Sequence, residues 1–213
     1  MGVFKEVYTY NKKGKRVSLK YYDENADPIN NSWEIYEYKW KHINNNDVLE
    51  TRKNITGTNV TMRPYYKFYN TLYKFNDNGI LLSMNNVDEN LNLINDESGI
   101  AIDKATYDEY NNLIAYKFFN AEHKPTIGSF LGTAGGFATY DAKGNCIKYA
   151  TVNLDGNFMI NKRSNDAYSR YEFDAVGNLI SRSNFDTNSK ILKRRGVTAV
   201  SYTHLTLPTT PYV

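Results

Sequence analysis

Cysteine is nearly absent from this chain of 213 residues. Cys146 stands alone, which excludes an intrachain disulfide and a cysteine-built metal cluster and is neutral as to compartment. Five prolines and 13 glycines are too few for a low-complexity tract. No apolar run approaches the roughly 18–20 residues of a membrane-spanning helix, so no membrane span is expected. The opening Met1-Gly2-Val3-Phe4-Lys5-Glu6 lacks the apolar segment of a signal peptide. It reads as part of a strand, so Met1 is expected to be an internal start in a longer protein. No one sign of charge dominates: 26 Lys and Arg against 23 Asp and Glu leave a net charge of +3, spread along the chain. The densest basic run, Lys12-Lys13-Gly14-Lys15-Arg16, straddles a turn and reads as solvated, so no nucleic-acid partner is expected.

Constellations that carry chemistry are equally scarce. His42 and His123 fall in separate turns with no second ligand nearby, and no loop has the Asp-x-Asp-x-Asp-Gly spacing of a calcium site. The acidic turns Asp23-Glu24-Asn25 and Asp88-Glu89-Asn90 are explained by turn capping. Cys146 sits at the start of a strand where other copies of the pattern carry Leu or Val, so it reads as a small core residue. No pair of carboxylates can be assigned to glycoside hydrolysis. Gly132-Thr133-Ala134-Gly135-Gly136 lacks the Lys-Ser/Thr of a phosphate-cradling loop. No catalytic residue, metal or cofactor is therefore assigned, and the chain reads as a non-enzyme.

What the chain has in quantity is tyrosine. With 19 Tyr, 10 Phe and 2 Trp, aromatics reach 15%, and such residues favour strands, where a ring packs across neighbouring chains. Hydrophobic residues at 41% and charged residues at 23% suit a folded protein.

The chain also repeats. One slot is held in turn by Gly14, Asn46, Gly79, Asn111, Gly144 and Gly177, the two residue types that enter the left-handed region most cheaply. Three residues earlier stand Asn11, Ile43, Asn76, Asp108, Asp141 and Asp174, five of which can cap a turn through the side chain. Asx first and Gly or Asn fourth predicts a type I turn closed by a left-handed residue, the common three-residue hairpin loop. Because neutral Asn replaces Asp in this slot, its task is a hydrogen bond and not acid–base chemistry.

A strand follows each turn and is predicted to end at Tyr22, Ile55, Val87, Phe119, Val152 and Phe185. A second turn comes next, beginning at Asp23, Thr56, Asp88, Asn120, Asn153 and Asp186. It is expected to be looser, since its fourth position is not held to Gly. A return strand such as Trp33 to Trp40 then leads to the next unit. There Tyr36, Tyr38 and Trp40 alternate with charged residues at the period of a half-buried strand. The expected architecture is all-β: an antiparallel β-hairpin repeat array over residues 1–193, with units starting near 10, 42, 75, 107, 140 and 173. Either a meandering twisted sheet or a single-layer β-solenoid satisfies the 32–33-residue period.

The motif Phe173-Asp174-Ala175-Val176-Gly177-Asn178-Leu179-Ile180 resembles the tyrosine–aspartate (YD, or Rhs-type) repeats of bacterial surface and toxin-encasing proteins. Tyr140-Asp141-Ala142-Lys143-Gly144-Asn145-Cys146-Ile147 is similar. The period is longer than the twenty or so residues usual for that family. The array is in this respect closer to a long-period hairpin repeat, similar in look to MORN-like and WG-type repeats. The resemblance implies a non-catalytic scaffold or binding surface, extracytoplasmic or envelope-associated, and a fragment of a longer chain. It also admits the shell or targeting part of an enzyme or toxin whose catalytic domain lies elsewhere. Residues 194–213, ending Leu207-Pro208-Thr209-Thr210-Pro211-Tyr212-Val213, resemble the translation of a sequencing adapter and are expected to be non-native or disordered.

An aromatic ladder is the best candidate for a binding strip. Tyr36, Tyr38 and Trp40, or Tyr116 and Phe118 with Tyr149, would stack on a carbohydrate or a protein partner if exposed in register, and would pack the core if not. The all-β reading is checked by far-ultraviolet circular dichroism: a strand spectrum is expected, and a helical double minimum would contradict it.

Overall fold

In the computed structural model, residues 2–63, 66–193 and 199–201 are described. Along the first half run β1 (Lys5–Tyr10), β2 (Arg16–Tyr22), β3 (Glu37–His42), β4 (Asp47–Lys53), β5 (Asn70–Phe75) and β6 (Leu81–Asn86). The second half holds β7 (Ile102–Tyr107), β8 (Leu113–Phe119), β9 (Gly135–Tyr140), β10 (Cys146–Val152), β11 (Tyr168–Phe173) and β12 (Leu179–Phe185), with a short β13 (Ala199–Ser201). All lie in one sheet in sequence order, each antiparallel to its neighbours, and the sheet does not close on itself. Of the two expected architectures, the meandering sheet is the one observed. There is no helix among the described residues. Of the tail, Ala199–Ser201 pairs with β12, and the remainder of 194–213 lies outside the described residues.

One rim of the sheet carries the short turns, and each is built by one side chain. Asn11 Oδ1 accepts hydrogen bonds from the backbone N–H of Lys13 at 2.9 Å and of Lys15 at 3.0 Å, while Gly14 takes φ +72°. Asp141 does the same for Lys143 and Asn145, with Gly144 at φ +83°. In the Asp copies a second bond is added. The Asn112, Asn145 and Asn178 amides donate back to the other carboxylate oxygen of Asp108, Asp141 and Asp174, at 2.9–3.0 Å. These bonds hold the Asp108 and Asp141 carboxyls below their ordinary range. The second unit departs from the predicted alignment. Its turn is capped from Asn44, not Ile43, and Asn46 is not left-handed.

The second turns are as tight as the first, which corrects the expectation of a looser turn. Asp23, Asp88, Asn120, Asn153 and Asp186 each accept the same two backbone N–H groups. The fourth position is left-handed even where it is Ala26, Leu91, His123 or Ser189. The cap and the strand pairing on either side fix the backbone, and the side chain tolerates it. In the second unit this turn starts at Asn54 rather than Thr56, so β4 ends at Lys53, short of the predicted Ile55.

The other rim is made of long loops, and here the repeat proves to be double. The first, third and fifth loops contain a further capped turn, at Asn31, Asp96 and Asn161. The second and fourth instead close through bridges between Arg63 and Tyr66 and between Gly128 and Thr133. Bonds between successive loops follow the same alternation: Asn30 accepts from Ile55 N–H at 3.0 Å, and Asn95 from Ala121 N–H at 2.7 Å. The extra turn is why β3 starts at Glu37 instead of Trp33.

A single sheet has no second layer to bury its faces, so the loops do it. On one face Phe68, Ile100, Phe118 and Leu131 form a closed cluster, with Met62, Tyr66, Met84 and Tyr116 packed against it. On the opposite face Ala150, Ala167, Tyr168 and Phe185 form another. Each large side chain removed from water here contributes roughly 1.5–3 kcal/mol. Nearer the N-terminus the same role falls to a charge. Arg52, 1% exposed, donates to Glu50, to the Phe68 carbonyl and to Thr71, while Trp40 Nε1–H donates to Glu50 Oε2 at 2.7 Å. A buried pair is tolerable when its polar atoms are satisfied in this way.

Leu91 holds a left-handed backbone at φ +67° with an exposed side chain, so Leu91→Gly is expected to stabilise the fold by about 0.5–1 kcal/mol. The check is a rise of a few degrees in Tm with an unchanged spectrum.

Candidate binding groove

The repeat itself lays out the floor of the site. The fifth residue after the left-handed slot is Leu19, Met84, Tyr116, Tyr149 and Arg182 in the first, third, fourth, fifth and sixth units. In the last four, strand pairing carries them to one face. Met84 lies opposite Tyr73 and Asp103, Tyr116 opposite Ala105 and Gly136, and Tyr149 opposite Ala138 and Ser169. Arg182 lies opposite Tyr171. Together with Leu131 and Arg163 from the loops they line a cavity of about 600 Å³, open to solvent and within the range of small-ligand sites.

Tyr116 and Tyr149 form its centre. Their rings are near parallel, at 12° and 6.3 Å between centroids, and Tyr149 Oη–H donates to Tyr116 Oη at 2.9 Å. Tyr149 is 38% exposed and Tyr116 partly covered. The ring of Tyr116 can lie across β9 because Gly136 has no side chain: a Cβ there would meet Tyr116 Cε1 at 2.6 Å. That explains part of the glycine run at 132–136 in backbone terms, as a close approach. Burial and the neighbouring Tyr149 push the Tyr116 hydroxyl well above its ordinary range.

Asp103 stands at one end. Its Oδ2 accepts a hydrogen bond from Tyr66 Oη at 2.5 Å, and the Tyr66 ring meets Phe118 edge-on at 6.3 Å. Burial raises the carboxyl from 3.8 to about 6, the hydrogen bond from Tyr66 opposing part of the rise. Arginines stand at the other end. Arg182 lies 5.5 Å from the Tyr171 ring centroid, its Nη2 reaches Ser169 Oγ at 3.5 Å, and its Nε is buried without a hydrogen-bond partner. Arg163 is exposed and held by the Asn161 turn.

The predicted strip is thus brought together in one half and divided in the other. Tyr116 and Tyr149 meet as a pair. Phe118, 0% exposed, belongs to the core and presents nothing to solvent. Tyr38 and Trp40 stack at 5.8 Å and 8°, but Tyr36 does not join them. A bend at Tyr36 breaks the strand period, and its ring meets Tyr22 and Lys20 on the opposite face. Cys146 is half-buried, its thiol pushed up by burial and donating to the Lys148 carbonyl. Asp103, Tyr66, Arg163 and Arg182 were not singled out by the sequence. A signal for Asp103 was present: in its slot, eight residues before the left-handed position, the other units carry Glu6, Tyr38, Thr71, Gly136 and Ser169, so it is the lone acid between interior units.

No cluster of three or more His, Cys, Asp or Glu side chains converges among the described residues, and no helix long and apolar enough to cross a membrane occurs among them. No family model and no curated protein matches the chain. Among solved structures it is similar to one described as the crystal structure of TcdB2-TccC3-TEV, at 12% identity and a TM-score of 0.22; the match covers 87% of this chain and 12% of that one.

Ionised Asp103 costs the folded state more than the unfolded chain. Its contribution to stability is complete below about pH 3.8 and is lost as pH rises through about 6. Asp103→Asn keeps an acceptor for Tyr66 and is expected to raise stability by about 1–2 kcal/mol at pH 8, once solvent screening is allowed for. Thermal melts of both proteins should differ at pH 8 and converge at pH 4.

Proposed function

We propose that the chain is a non-catalytic repeat scaffold of a bacterial protein, and that the Tyr116 face is its binding surface. The observation that carries this reading is the Tyr116–Tyr149 pair, parallel, half-exposed and set in the middle of a 600 Å³ concavity. A core pair would be covered by a loop, as Phe118 is covered by Leu131. Here the covering stops and the two rings stand partly open to solvent, with polar groups around them. That combination suits a ligand with one apolar face and a hydroxyl or amide periphery.

The neighbouring strands exclude one mode of recognition. Each of β7 to β11 has a strand on both sides, so none of them offers a free sheet edge to which a peptide could add as a strand. Binding has to use side chains. Tyr149→Ala is expected to abolish capture of the ligands that the wild-type protein selects from a glycan array and a peptide library, at a Tm within a degree or two of wild type. Capture that persists in Tyr149→Ala, or no capture by wild type, would count against the reading.

A further inference from the structure

The face opposite the groove collects charge that the sequence disperses. Because side chains alternate across a strand, the pairing registers fix which residues share that face. Lys104 on β7 stands directly opposite Lys117 on β8, and Lys148 on β10 stands directly opposite Arg170 on β11. Lys104, Lys117 and Arg170 are exposed and Lys148 is half-buried. From β7 to β10 the paired slots of this face hold no Asp or Glu, and toward the C-terminus the next acid is Glu172 on β11. Asp108, Asp141 and Asp174 are held in turn caps, and Asp103 is on the groove face. The ion pairs among the described residues lie elsewhere, at Glu37 and Glu50. Like charges directly opposite each other across a strand pair are destabilising, and this face keeps two such pairs without a neutralising acid. Burial and the facing Arg170 both lower the Lys148 ammonium below its ordinary range.

The two pairs are set apart along the sheet. On β9 the partner of Lys117 is Gly135 and the partner of Lys148 is Thr139. Four residues along the strand and two strand steps across it place the pairs about 16 Å from each other. Phe137 lies midway and half-buried, its ring stacked on Phe158 at 6.3 Å with Lys148 Nζ 5.4 Å from its centroid. We infer that this face binds single-stranded nucleic acid, with phosphates at Lys104 and Lys117 and at Lys148 and Arg170, and a base against Phe137. Three of the four cations are lysine, a point charge that suits phosphate, whereas carboxylate recognition favours the paired N–H groups of Arg. A ring between cations gives a base a stacking surface that a polyanion without bases cannot use, and a duplex hides its base faces. A planar anionic membrane matches less well, since an open sheet twists and would touch a plane with only part of this face. The surface is independent of the Tyr116 groove. The sequence predicts no nucleic-acid partner, because Lys104 and Lys117 are 13 residues apart and belong to no basic run. Antiparallel pairing is what makes them neighbours.

The test follows the fluorescence anisotropy of a labelled oligodeoxythymidylate as the full chain is added, between about 50 and 200 mM salt. Inorganic polyphosphate, polyglutamate, a DNA duplex and phosphatidylserine vesicles serve as competitors. The oligonucleotide is expected to bind at least about ten times more tightly than polyphosphate of equal charge, the margin being set by base stacking. Lys104→Gln with Lys117→Gln should weaken it about tenfold and reduce the salt slope by roughly 1.4, for two phosphate contacts at about 0.7 each. This double variant should melt at or above the wild-type temperature, since the opposed charges are gone. Lys148→Gln with Arg170→Gln should weaken binding to a similar degree. Tyr149→Ala on the groove face and Lys12→Gln in a rim turn should leave it unchanged. Absence of oligonucleotide binding, binding indifferent to both double variants, equal affinity for polyphosphate, or preference for polyglutamate, duplex or vesicles would overturn the inference. None of these results bears on the Tyr116 surface.

Discussion

The structure depends on one small hydrogen-bonded device, the side chain of Asp or Asn accepting two backbone N–H groups across a turn whose fourth residue is left-handed. It reverses the chain at both rims of the sheet and recurs inside every other long loop. The cap is strong enough in context to hold Leu91, His123 and Ser189 in a backbone conformation that L-residues avoid. Each turn also sets the register of the strands that leave it, and a register slip of one residue would exchange the two faces of a strand. Everything that happens on those faces is therefore conditional on the turns.

The second constraint is that an open single sheet cannot bury itself. Long loops fold over opposite faces at one end of the strands, making two clusters around Phe118 and around Tyr168. Where the loops reach, aromatic residues are core. Where they stop, residues in equivalent repeat slots face solvent. Phe118 and Tyr116 are two residues apart on β8, and this boundary passes between them. The candidate groove is the uncovered margin of the first cluster, which is why its rings are ordered by packing and still accessible.

Charge is used sparingly and in the same economy. Arg52 and Glu50 occupy face positions where the first and fourth units place Leu19, Tyr21, Tyr116 and Phe118, and their polar atoms are matched by Trp40, Thr71 and backbone carbonyls. Asp103 and Arg182 also occupy inward-facing slots, but neither is matched to the same degree. A residue that repays its burial within the protein is structural. One that does not has capacity left for something else, and this contrast separates the groove from the Arg52 network.

By itself the sequence determined most first turns, the hairpins they close and the all-β class, because these follow from local rules: Asx before Gly or Asn, and apolar residues at period two; whether the hairpins form a meandering sheet or a solenoid was decided only by the tertiary structure. It misplaced the turns of the second unit, where Ile43 and Asn46 shifted the alignment by one step and Asn54 was overlooked. It could not show that Tyr36 turns to the opposite face from Tyr38, since a bend at the strand entrance is set by the loop that feeds it. It marked Tyr116 and Tyr149 as a possible pair yet could not separate them from Phe118, because period two assigns a face and not the extent of its cover. Asp103, Tyr66, Arg163 and Arg182 are scattered over more than a hundred residues. Only antiparallel pairing across successive units, and loops folding back over one end of the sheet, bring them to a single cavity.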